Sequence, residues 1–455
     1  MKRVAVVFLV LACAATAAAQ EAQTAPPLTL MHPEGASAPP SVLTLQDALQ
    51  RARRNDPTFQ TATADAAIAR EDRVQARAAL LPTLSNTTQF LGNSPNGVNP
   101  NGRFVSLDGV EMYREWGVAH QEFSANTFTL APLKKARASE AAAEAKLEVA
   151  QRGLTVTVTK NYYALVVAQR KYASAQQSAD QARRFLEITQ QQQRLGQVAR
   201  SDTIKAEIQY RQQQQAFSEA FVAMDAARLT LAVLVSPTLD ENFTVVDDLA
   251  SAPPLPPFAE VRSMAGRANP DLRAAEESLH AAEQDVTVAR NAFYPTFIVD
   301  AVYGIEANEF ALHSRIAAQP ELGVLPNLGY FVTLNLQVPV WDWGATRSKV
   351  HQSETRARQA QVTLSQAQRQ QMSSLYSKYN EALAARSAVE NLRRVADLAA
   401  ESLRLTILRY QAGESTALEV VDAQNTLVQA RTAADEAEAR QRVAIADLQT
   451  LTGPF

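Results

Sequence analysis

Cysteine is almost absent from this chain, whose 455 residues include only Cys13. That cysteine lies within residues 1–19, which have a positively charged start, an apolar run and three alanines before Gln20, the pattern of an export signal peptide. Cleavage there predicts a mature chain without a thiol, which excludes disulfide and thiolate chemistry. The alternative is a lipoprotein signal in which Cys13 is acylated, for which Val10-Leu11-Ala12 is a poor lead-in.

Basic clusters, long apolar runs and catalytic motifs are also missing. The net charge of −3 is spread along the chain without a basic block, which excludes a nucleic-acid-binding surface. Beyond the signal, no stretch offers the ~20 uninterrupted apolar residues of a membrane-spanning helix, so any crossing of a membrane would require strands. The five histidines lack partners at metal-ligand spacing, and no nucleophile elbow or phosphate loop occurs. We therefore expect no enzyme activity, resident metal or cofactor.

A long internal repeat is what the chain does contain. The segment 76–84 returns as 289–297, with Pro82 matching Pro295 at an offset of 213 (295 minus 82). Downstream, Gly196 matches Gly413 at an offset of 217 (413 minus 196), so four residues are inserted between the two matches. A period above two hundred residues is too long for a solenoid and indicates one large motif used twice.

Each copy contains a long proline-free stretch, 133–194 and 345–411, with apolar residues spaced by three, four and seven. This periodicity predicts helices of roughly 90 Å, and alanine at many seam positions favours close, coiled-coil-like packing.

Each long helix ends at a glycine-containing turn and is followed by a returning helix of roughly 50 Å, which is too short to cover it. A half-length helix in each copy, near 56–81 and 270–293, supplies the missing length when placed end to end with the returning helix. The predicted shape is a rod of four helical columns. The predicted organisation is a signal peptide (1–19), an extended Pro-rich segment (20–44), repeat 1 (45–235, strand hairpin about 82–130, tip near 196), an equatorial linker (236–269) and repeat 2 (270–455, strand hairpin about 295–341, tip near 413).

Strand-like segments follow the half-length helices. In 330–340 every even-numbered residue is apolar, as expected for a strand with lipid on one side and water on the other. The first copy is more polar, and a soluble hairpin cap is the alternative. Aromatic residues lie near the strand ends, where membrane interfaces favour them: Tyr113, Trp116, Tyr294, Trp341 and Trp343. Long loops, 92–111 and 305–328, separate the paired strands.

Four strands are too few to close a membrane barrel, and lipid does not tolerate open sheet edges. A membrane-spanning sheet of this kind must therefore be shared between chains. The periodicity does not define the number of subunits.

Several motifs together resemble the TolC-type outer membrane efflux proteins, also called outer membrane factors, over nearly the whole chain from about Val42. The motifs are Leu43-Thr44-Leu45-Gln46-Asp47-Ala48-Leu49 with Asn55-Asp56-Pro57, Leu81-Pro82-Thr83-Leu84, Val338-Pro339-Val340-Trp341-Asp342-Trp343-Gly344, and Tyr410-Gln411-Ala412-Gly413 with Glu419-Val420-Val421-Asp422-Ala423-Gln424.

The resemblance implies a mainly α fold with a transmembrane β-barrel portion. A homotrimer would close one twelve-stranded barrel in outer membrane lipid and continue it as an α-helical barrel through the periplasm. It also implies a passive exit duct, with an inner membrane transporter supplying energy and a periplasmic adaptor protein binding the helical tips. A periplasmic adaptor or a purely structural coiled-coil protein is the alternative, although the first would need β-rich domains flanking one hairpin.

By resemblance, the functional residues lie at the tips. Glu419 and Asp422 match carboxylates that ring the periplasmic aperture, although Glu419 could instead simply complement the helix dipole. Tyr410 and Asp202 match residues that latch the closed state, but Ser415 replaces the arginine expected there, so a different pairing, for example with Arg200, is needed. The expected adaptor-docking tips are Leu195, Gly196, Gln197, Val198, Gly413, Glu414 and Ser415.

Overall fold

The computed structural model describes residues 41–92, 111–237, 242–307, 310–312 and 327–455. The expected signal peptide with Cys13, the Pro-rich segment up to residue 40 and most of both long loops lie outside the described residues. The helices are α1 (Leu45–Asn55), α2 (Pro57–Ala78), α3 (Ala125–Thr129), α4 (Ala131–Arg194), α5 (Arg200–Val235), α6 (Phe258–Ala268), α7 (Pro270–Asn291), α8 (Ala345–Gln411) and α9 (Ala417–Thr452). The strands are β1 (Ser41–Leu43), β2 (Thr83–Gly92), β3 (Glu111–Phe123), β4 (Phe243–Val245), β5 (Thr296–Ala307) and β6 (Leu328–Gln337).

The two long helices, α4 and α8, contain 64 and 67 residues. Their apolar seams are buried as the spacing predicts, for example at Leu154, Val158 and Leu165 in α4 and at Leu375 and Val389 in α8. The predicted mainly helical fold with long antiparallel hairpins is confirmed. None of the described helices is both long enough and apolar enough to cross a lipid bilayer.

The helices form four columns. Helix α4 packs against α2 and α7 over one half of its length and against α5 and α9 over the other, while α8 packs against α7 and α9. The pairs α2 with α5 and α7 with α9 therefore each supply one column in two halves, beside the full-length columns α4 and α8. The outer columns of the chain are α2 with α5 on one side and α8 on the other.

A small joint at mid-height ties the start of the chain to the linker. Strands β1 and β4 pair in parallel. The hydroxyl of Tyr162 on α4 accepts a hydrogen bond from Val246 N at 3.0 Å, and its single proton is shared between the carbonyl oxygens of Val246 and Leu43, at 2.9 and 3.1 Å. The linker is less irregular than expected, because α6 forms directly after Pro257 and buries Val261 and Ala265. The pairing of β1 with β4 was not predicted.

The other four strands form one antiparallel sheet in the order β2-β3-β5-β6, so β2 and β6 each have an unpaired edge within the described chain. Opposite residues such as Leu84, Ala119, Ala301 and Val332 lie in register on one face. That face is exposed and largely apolar, apart from Glu115, whose carboxylate accepts hydrogen bonds from Asn86 and Thr88. Its large exposed side chains are Leu84, Phe90, Phe297, Tyr303, Tyr330, Val332, Leu334 and Leu336.

The opposite face of the sheet carries most of its charged side chains, beside apolar ones such as Val118 and Val302. It pairs Arg114 with Glu306 at 2.9 Å and His120 with Asp300 at 2.6 Å, and Trp116 contacts Phe331 edge-on there. The sheet thus has the two-sided character that the alternation in β6 predicts.

The corners that lead from the strands to the long helices differ from expectation. The first strand hairpin ends at Phe123 rather than near 130, because a local hydrogen bond from Ser124 N to Thr127 Oγ1 starts the short helix α3. Leu130 then adopts a left-handed conformation (φ 55°) before α4 begins. At the second corner, Trp343 (φ 57°) is left-handed as well.

Candidate gate at the helical tips

The turns at the far ends of α4 and α8 share one geometry. Gly196 and Gly413 have φ values of 71° and 77°, a left-handed conformation that glycine adopts without a steric penalty. Gln197 N donates to the carbonyl of Gln192, and Glu414 N donates to the carbonyl of Arg409, each at 2.9 Å. These bonds define the same helix-ending motif in both repeats. Of the expected docking residues, those exposed are Leu195, Gly196, Gln197, Gly413 and Glu414, and those half-buried are Val198 and Ser415.

Tyr410 joins the two hairpins near their tips. Its hydroxyl donates to Gln192 Oε1 of α4 at 3.0 Å, and its ring lies edge-on to Phe185, with centroids 5.2 Å apart. Around it, a small apolar cluster brings together α4, α5, α8 and α9. The buried members are Phe185, Ala206, Tyr410, Ala417 and Val420.

Asp202 lies in the first turn of α5 and faces Lys205 of the same helix, with Oδ1 and Nζ 3.8 Å apart. Within the described chain no hydrogen bond joins Asp202 to Tyr410, and Arg200 makes no ion pair. In a single protomer, the partner of Tyr410 is therefore Gln192. Sequence reasoning missed Gln192 because it is one of four consecutive glutamines, 190–193, and only the approach of Tyr410 from the end of α8 selects it.

Glu419 caps the start of α9. Its carboxylate accepts hydrogen bonds from Ser415 Oγ at 2.8 Å and from Thr416 N at 3.3 Å, and Arg409 Nη1 lies 3.9 Å away. The bond from Ser415, followed by the one from Thr416, holds the pKa of Glu419 below its ordinary value. Ser415, which replaces the expected arginine, thus acts here as a neutral hydrogen-bond donor to the candidate gate carboxylate.

Asp422 follows one helical turn later and is exposed. Among the described residues, its carboxylate has no hydrogen-bond or ion-pair partner, and only its backbone carbonyl accepts a bond, from Thr426. The three-residue spacing keeps Glu419 and Asp422 on neighbouring positions of the α9 surface. The tip of the second hairpin therefore presents two adjacent carboxylates.

Farther from the tip, Arg170 of α4 forms a cluster of ion pairs that sequence reasoning did not identify. It reaches Asp247 of the linker at 2.6 Å and Asp435 and Glu438 of α9 at 2.8 and 2.9 Å. Arg393 of α8 binds Glu438 as well, at 2.6 Å. Burial raises the pKa of Asp435. The cluster joins the linker to α4, α8 and α9, and it lies between the helical tips and the joint at mid-height.

Comparison with known proteins identifies the architecture. The model of the outer membrane efflux protein family matches residues 48–236 and 261–454. The pyoverdine export outer membrane protein OpmQ of Pseudomonas putida is 31% identical over 166 residues, a match that spans 36% of this chain and 32% of that protein. The alkaline protease secretion protein AprF of Pseudomonas aeruginosa is 23% identical over 397 residues, spanning 85% of this chain and 80% of AprF.

A solved structure has the same fold. The crystal structure of the open state of the MtrE outer membrane channel of Neisseria gonorrhoeae matches with a TM-score of 0.74 at 22% identity, covering 90% of this chain and 88% of that one. The family model covers both repeats, and the fold agrees with it along nearly the whole described chain. The chain belongs to the outer membrane efflux protein family.

Proposed function

We propose that three copies of this chain form a passive exit duct that crosses the outer membrane and extends through the periplasm. An inner membrane transporter supplies the energy in a tripartite efflux or type I secretion system, and a periplasmic adaptor joins it to the helical tips. Beyond membership of the family, this proposal rests on one observation: on both sides, the folded chain has unpaired strand edges and exposed apolar helix faces.

The sheet has two open edges. The outer strands β2 and β6 have no neighbour on one side within the described chain, and the sheet carries an exposed apolar face. In lipid each unpaired backbone group would cost several kcal/mol, so the edges must pair with other strands. Three copies of a four-stranded sheet supply twelve strands, enough to close a barrel.

The helical part is open at its sides as well, because both outer columns carry exposed apolar side chains. On α5 these are Ile204, Ile208, Phe221, Val222 and Val233. On α8 they are Val362, Met372, Leu383, Val395, Leu398, Leu405 and Leu408. Contact between the α8 column of one copy and the α2–α5 column of the next would cover both and continue the barrel as a ring of helices.

We propose that the tips form the gate. Three copies of Glu419 and Asp422 would place six carboxylates around the axis, and this negative potential favours cations. The lowered pKa of Glu419 keeps it ionised at neutral pH. The bond between Tyr410 and Gln192 would hold the second hairpin against the first in each copy, while Asp202 remains available at the start of α5 for contacts between copies.

The exposed turns at the tips provide the adaptor-docking surface in this proposal. Both turns have the same backbone geometry, so one adaptor type could bind both repeats through similar contacts. The relatives include one named for pyoverdine export and one named for alkaline protease secretion. Since cargoes this different leave through related ducts, the transporter and the adaptor would choose the cargo.

Single-channel recording in planar bilayers tests the proposal, using the purified full-length trimer and a variant that combines Glu419→Ser with Asp422→Ser. The wild type is expected to show a small, cation-selective conductance that divalent cations block. The variant is expected to lose both the selectivity and the block, because the ring of negative charge is gone.

A matched control combines Asp180→Ser with Glu390→Ser, which removes two exposed carboxylates from the long helices and leaves the tips unchanged. The control should conduct like the wild type. A conducting wild type with equal selectivity in both double variants would move the gate away from Glu419 and Asp422. Absence of conductance from a well-folded trimer would refute the duct.

A further inference from the structure

The contact between α4 and α7 has an equivalent that is missing from the described part of a single chain. At the offset of 213, α8 corresponds to α4 and α2 corresponds to α7. Helices α4 and α7 pack against each other within the chain, whereas α2 and α8 belong to opposite outer columns. One side of α8 and one side of α2 therefore lack the neighbour that their equivalents have.

The contact inside the chain defines a register. Lys135 Nζ of α4 lies 2.6 Å from Asp285 Oδ1 of α7. Farther along, Glu148 of α4 binds Arg273 of α7. The second pair lies 13 positions later on α4 (148 minus 135) and 12 positions earlier on α7 (285 minus 273), so the two helices run antiparallel in a constant register.

On α8, the side that corresponds to this contact is basic. Helical spacing from Lys135 leads along the α7-facing side of α4 to three buried alanines: Ala138, Ala142 and Ala145. The equivalents of these four α4 residues are all exposed: Ser348, His351, Thr355 and Arg358. Arg347, also exposed, stands next to Ser348. None of the described carboxylates forms an ion pair with Arg347 or Arg358.

On α2, the corresponding side is acidic. Helical spacing from Asp285 leads along α7 to buried or half-buried residues: Ala281, Ser278 and Ala274. The equivalents of these four α7 residues are all exposed: Asp72, Ile68, Asp65 and Thr61. The cations Arg70 and Arg73 bind Glu140 of α4, at 3.7 and 2.7 Å. Asp65 and Asp72 have no hydrogen-bond or ion-pair partner among the described residues.

We propose that α8 of one copy binds α2 of the next copy through two ion pairs: Arg347 with Asp72, and Arg358 with Asp65. In the register of α4 with α7, Ser348 lies opposite Asp72, and Arg347 adjoins it. Thr355 then lies opposite Asp65, and Arg358 follows within one helical turn. This contact rests on the proposed function, which sets α8 of one copy beside α2 of the next, and it adds the residues that join them.

Two observations favour a second copy over a different protein at these surfaces. The two sides carry opposite charges, so they are complementary to each other. In addition, Asp72 occupies the place of Asp285, which binds a cation of α4 inside the chain. Arg347 stands beside the place of that cation. The repeat therefore provides both the acidic and the basic partner, in a register that the folded chain already uses.

The charges give the contact between copies a property that the contact inside the chain lacks. Inside the chain, buried alanines fill the space between the helices, for example Ala142 and Ala145. Between copies, His351 and Arg358 stand at equivalent positions beside carboxylates. Salt screens exposed charges and leaves buried apolar contacts in place. Assembly of the copies should therefore weaken with salt, while the folding of each chain should not.

Disulfide cross-linking tests the register, because the only natural cysteine, Cys13, lies in the expected signal peptide. Full-length protein carrying Asp72→Cys and Ser348→Cys is reconstituted in vesicles, oxidised and analysed on a denaturing gel. Positions 72 and 348 lie on opposite outer columns, so a disulfide between them joins two copies. We expect linked dimers and trimers.

The matched control combines Asp72→Cys with Thr355→Cys. Position 355 lies two helical turns beyond 348, about 10 Å along α8, and should give less than about a tenth of the linkage. Variants that carry Asp72→Cys or Ser348→Cys alone reveal any linkage through Cys13, and neither should form trimers. Equal linkage in the two double-cysteine variants would overturn the register and with it the proposed contact.

Charge reversal tests the ion pairs. Arg347→Asp combined with Arg358→Asp should lower the equilibrium constant of trimer formation, measured by sedimentation in detergent. An exposed ion pair contributes about twofold, and two pairs at each of three interfaces multiply to roughly sixtyfold. Repulsion between like charges should increase the loss to about a hundredfold or more. Adding Asp65→Arg and Asp72→Arg to the same chain should restore assembly, because the pairs form again with reversed charges.

The control for charge reversal is Lys349→Asp combined with Arg356→Asp. Both are exposed cations of α8, but they lie four and three positions from the buried Ser353, on the side toward α7. The net charge changes by the same amount, and assembly should stay at the wild-type level. Equal losses in the two charge-reversed proteins, or no recovery in the chain with exchanged charges, would overturn the ion pairs.

Ion conductance of the reconstituted vesicles separates failure of the contact from failure of the duct. Conducting trimers that do not link through positions 72 and 348 would overturn the contact and leave the duct in place. Efficient linkage between copies that form no closed trimer and conduct no ions would support the contact and overturn the proposed duct.

Discussion

Replacement of Tyr410 by phenylalanine isolates the bond that joins the two hairpins near the proposed gate. The hydroxyl donates to Gln192 Oε1 at 3.0 Å, while the ring lies against Phe185. Phenylalanine keeps the ring contact and removes only the bond. If the bond latches the closed state, as we propose, the expected result is a larger fraction of time in the open state, because the closed arrangement loses a contact between α8 and α4.

The size of the effect follows from the chemistry of the bond. A neutral, partly buried hydrogen bond contributes about 1 kcal/mol net. If the three copies open together, the closed state loses about 3 kcal/mol, and the ratio of open to closed channels rises about a hundredfold. If each copy opens independently, the ratio for each rises only about fivefold. The magnitude therefore also shows whether the gate is concerted.

The assay is open probability from single-channel recordings, measured for Tyr410→Phe, for Gln192→Met and for the double variant. Because both single variants break the same bond, the double variant should open no more readily than either one. Tyr376→Phe is the control. Tyr376 lies on α8, as Tyr410 does, and packs on Phe258, but its hydroxyl has no described hydrogen-bond partner. Additive effects of the two single substitutions, or an unchanged open probability in Tyr410→Phe, would refute the latch.

Three further predictions concern stability, measured by thermal unfolding of the trimer. Tyr162→Phe should cost about 2 kcal/mol per chain, because its buried hydroxyl donates one hydrogen bond to a backbone carbonyl and accepts another from Val246 N. Burial raises the pKa of Tyr162 to about 12 from 10.0, so as the pH rises the hydroxyl ionises first in the unfolded chain. The stability of the wild type should therefore fall between pH 10 and about 12, and that of Tyr162→Phe should fall less steeply. Gly304→Ala should disrupt the pairing of β5 with β3, because the added methyl carbon would clash with backbone atoms of β3. Gly329→Ala is the control and should leave the pairing intact, because the space around Gly329 is open. Arg170→Met leaves three carboxylates without their shared partner, and after allowance for partial exposure it should lower the free energy of unfolding by about 2 kcal/mol. The control Lys171→Met breaks one exposed ion pair and should cost at most about 1 kcal/mol.

The helical architecture was predictable because its causes are local. Proline-free seams define α4 and α8, and the glycines at 196 and 413 end them. The role of Glu419 as a cap is also local, since Thr416 stands three residues before it. The end of β3 was predicted too late because the hydrogen bond that starts α3 at Ser124 competes with a weak strand pattern.

The contacts between distant parts of the chain were not predictable from periodicity. Tyr410 finds Gln192 only after both hairpins have formed and packed, and nothing in the run of glutamines distinguishes one from the next. Arg170 likewise meets its partners only when the linker and α9 converge on α4. Whether Glu419, Asp422 and Asp202 act at a gate depends on neighbouring copies, and that role stays a prediction.

The pairing of β1 with β4 has a consequence for the order of folding. Ser41 pairs with Phe243, 202 positions later in the chain (243 minus 41). Closing so large a loop is costly in chain entropy, and a chain that emerges N-terminus first makes β1 available long before β4 exists. The first strand must therefore wait, unpaired, until the whole of repeat 1 and the start of the linker have emerged. Its docking onto Tyr162 would mark the completion of the first half of the molecule.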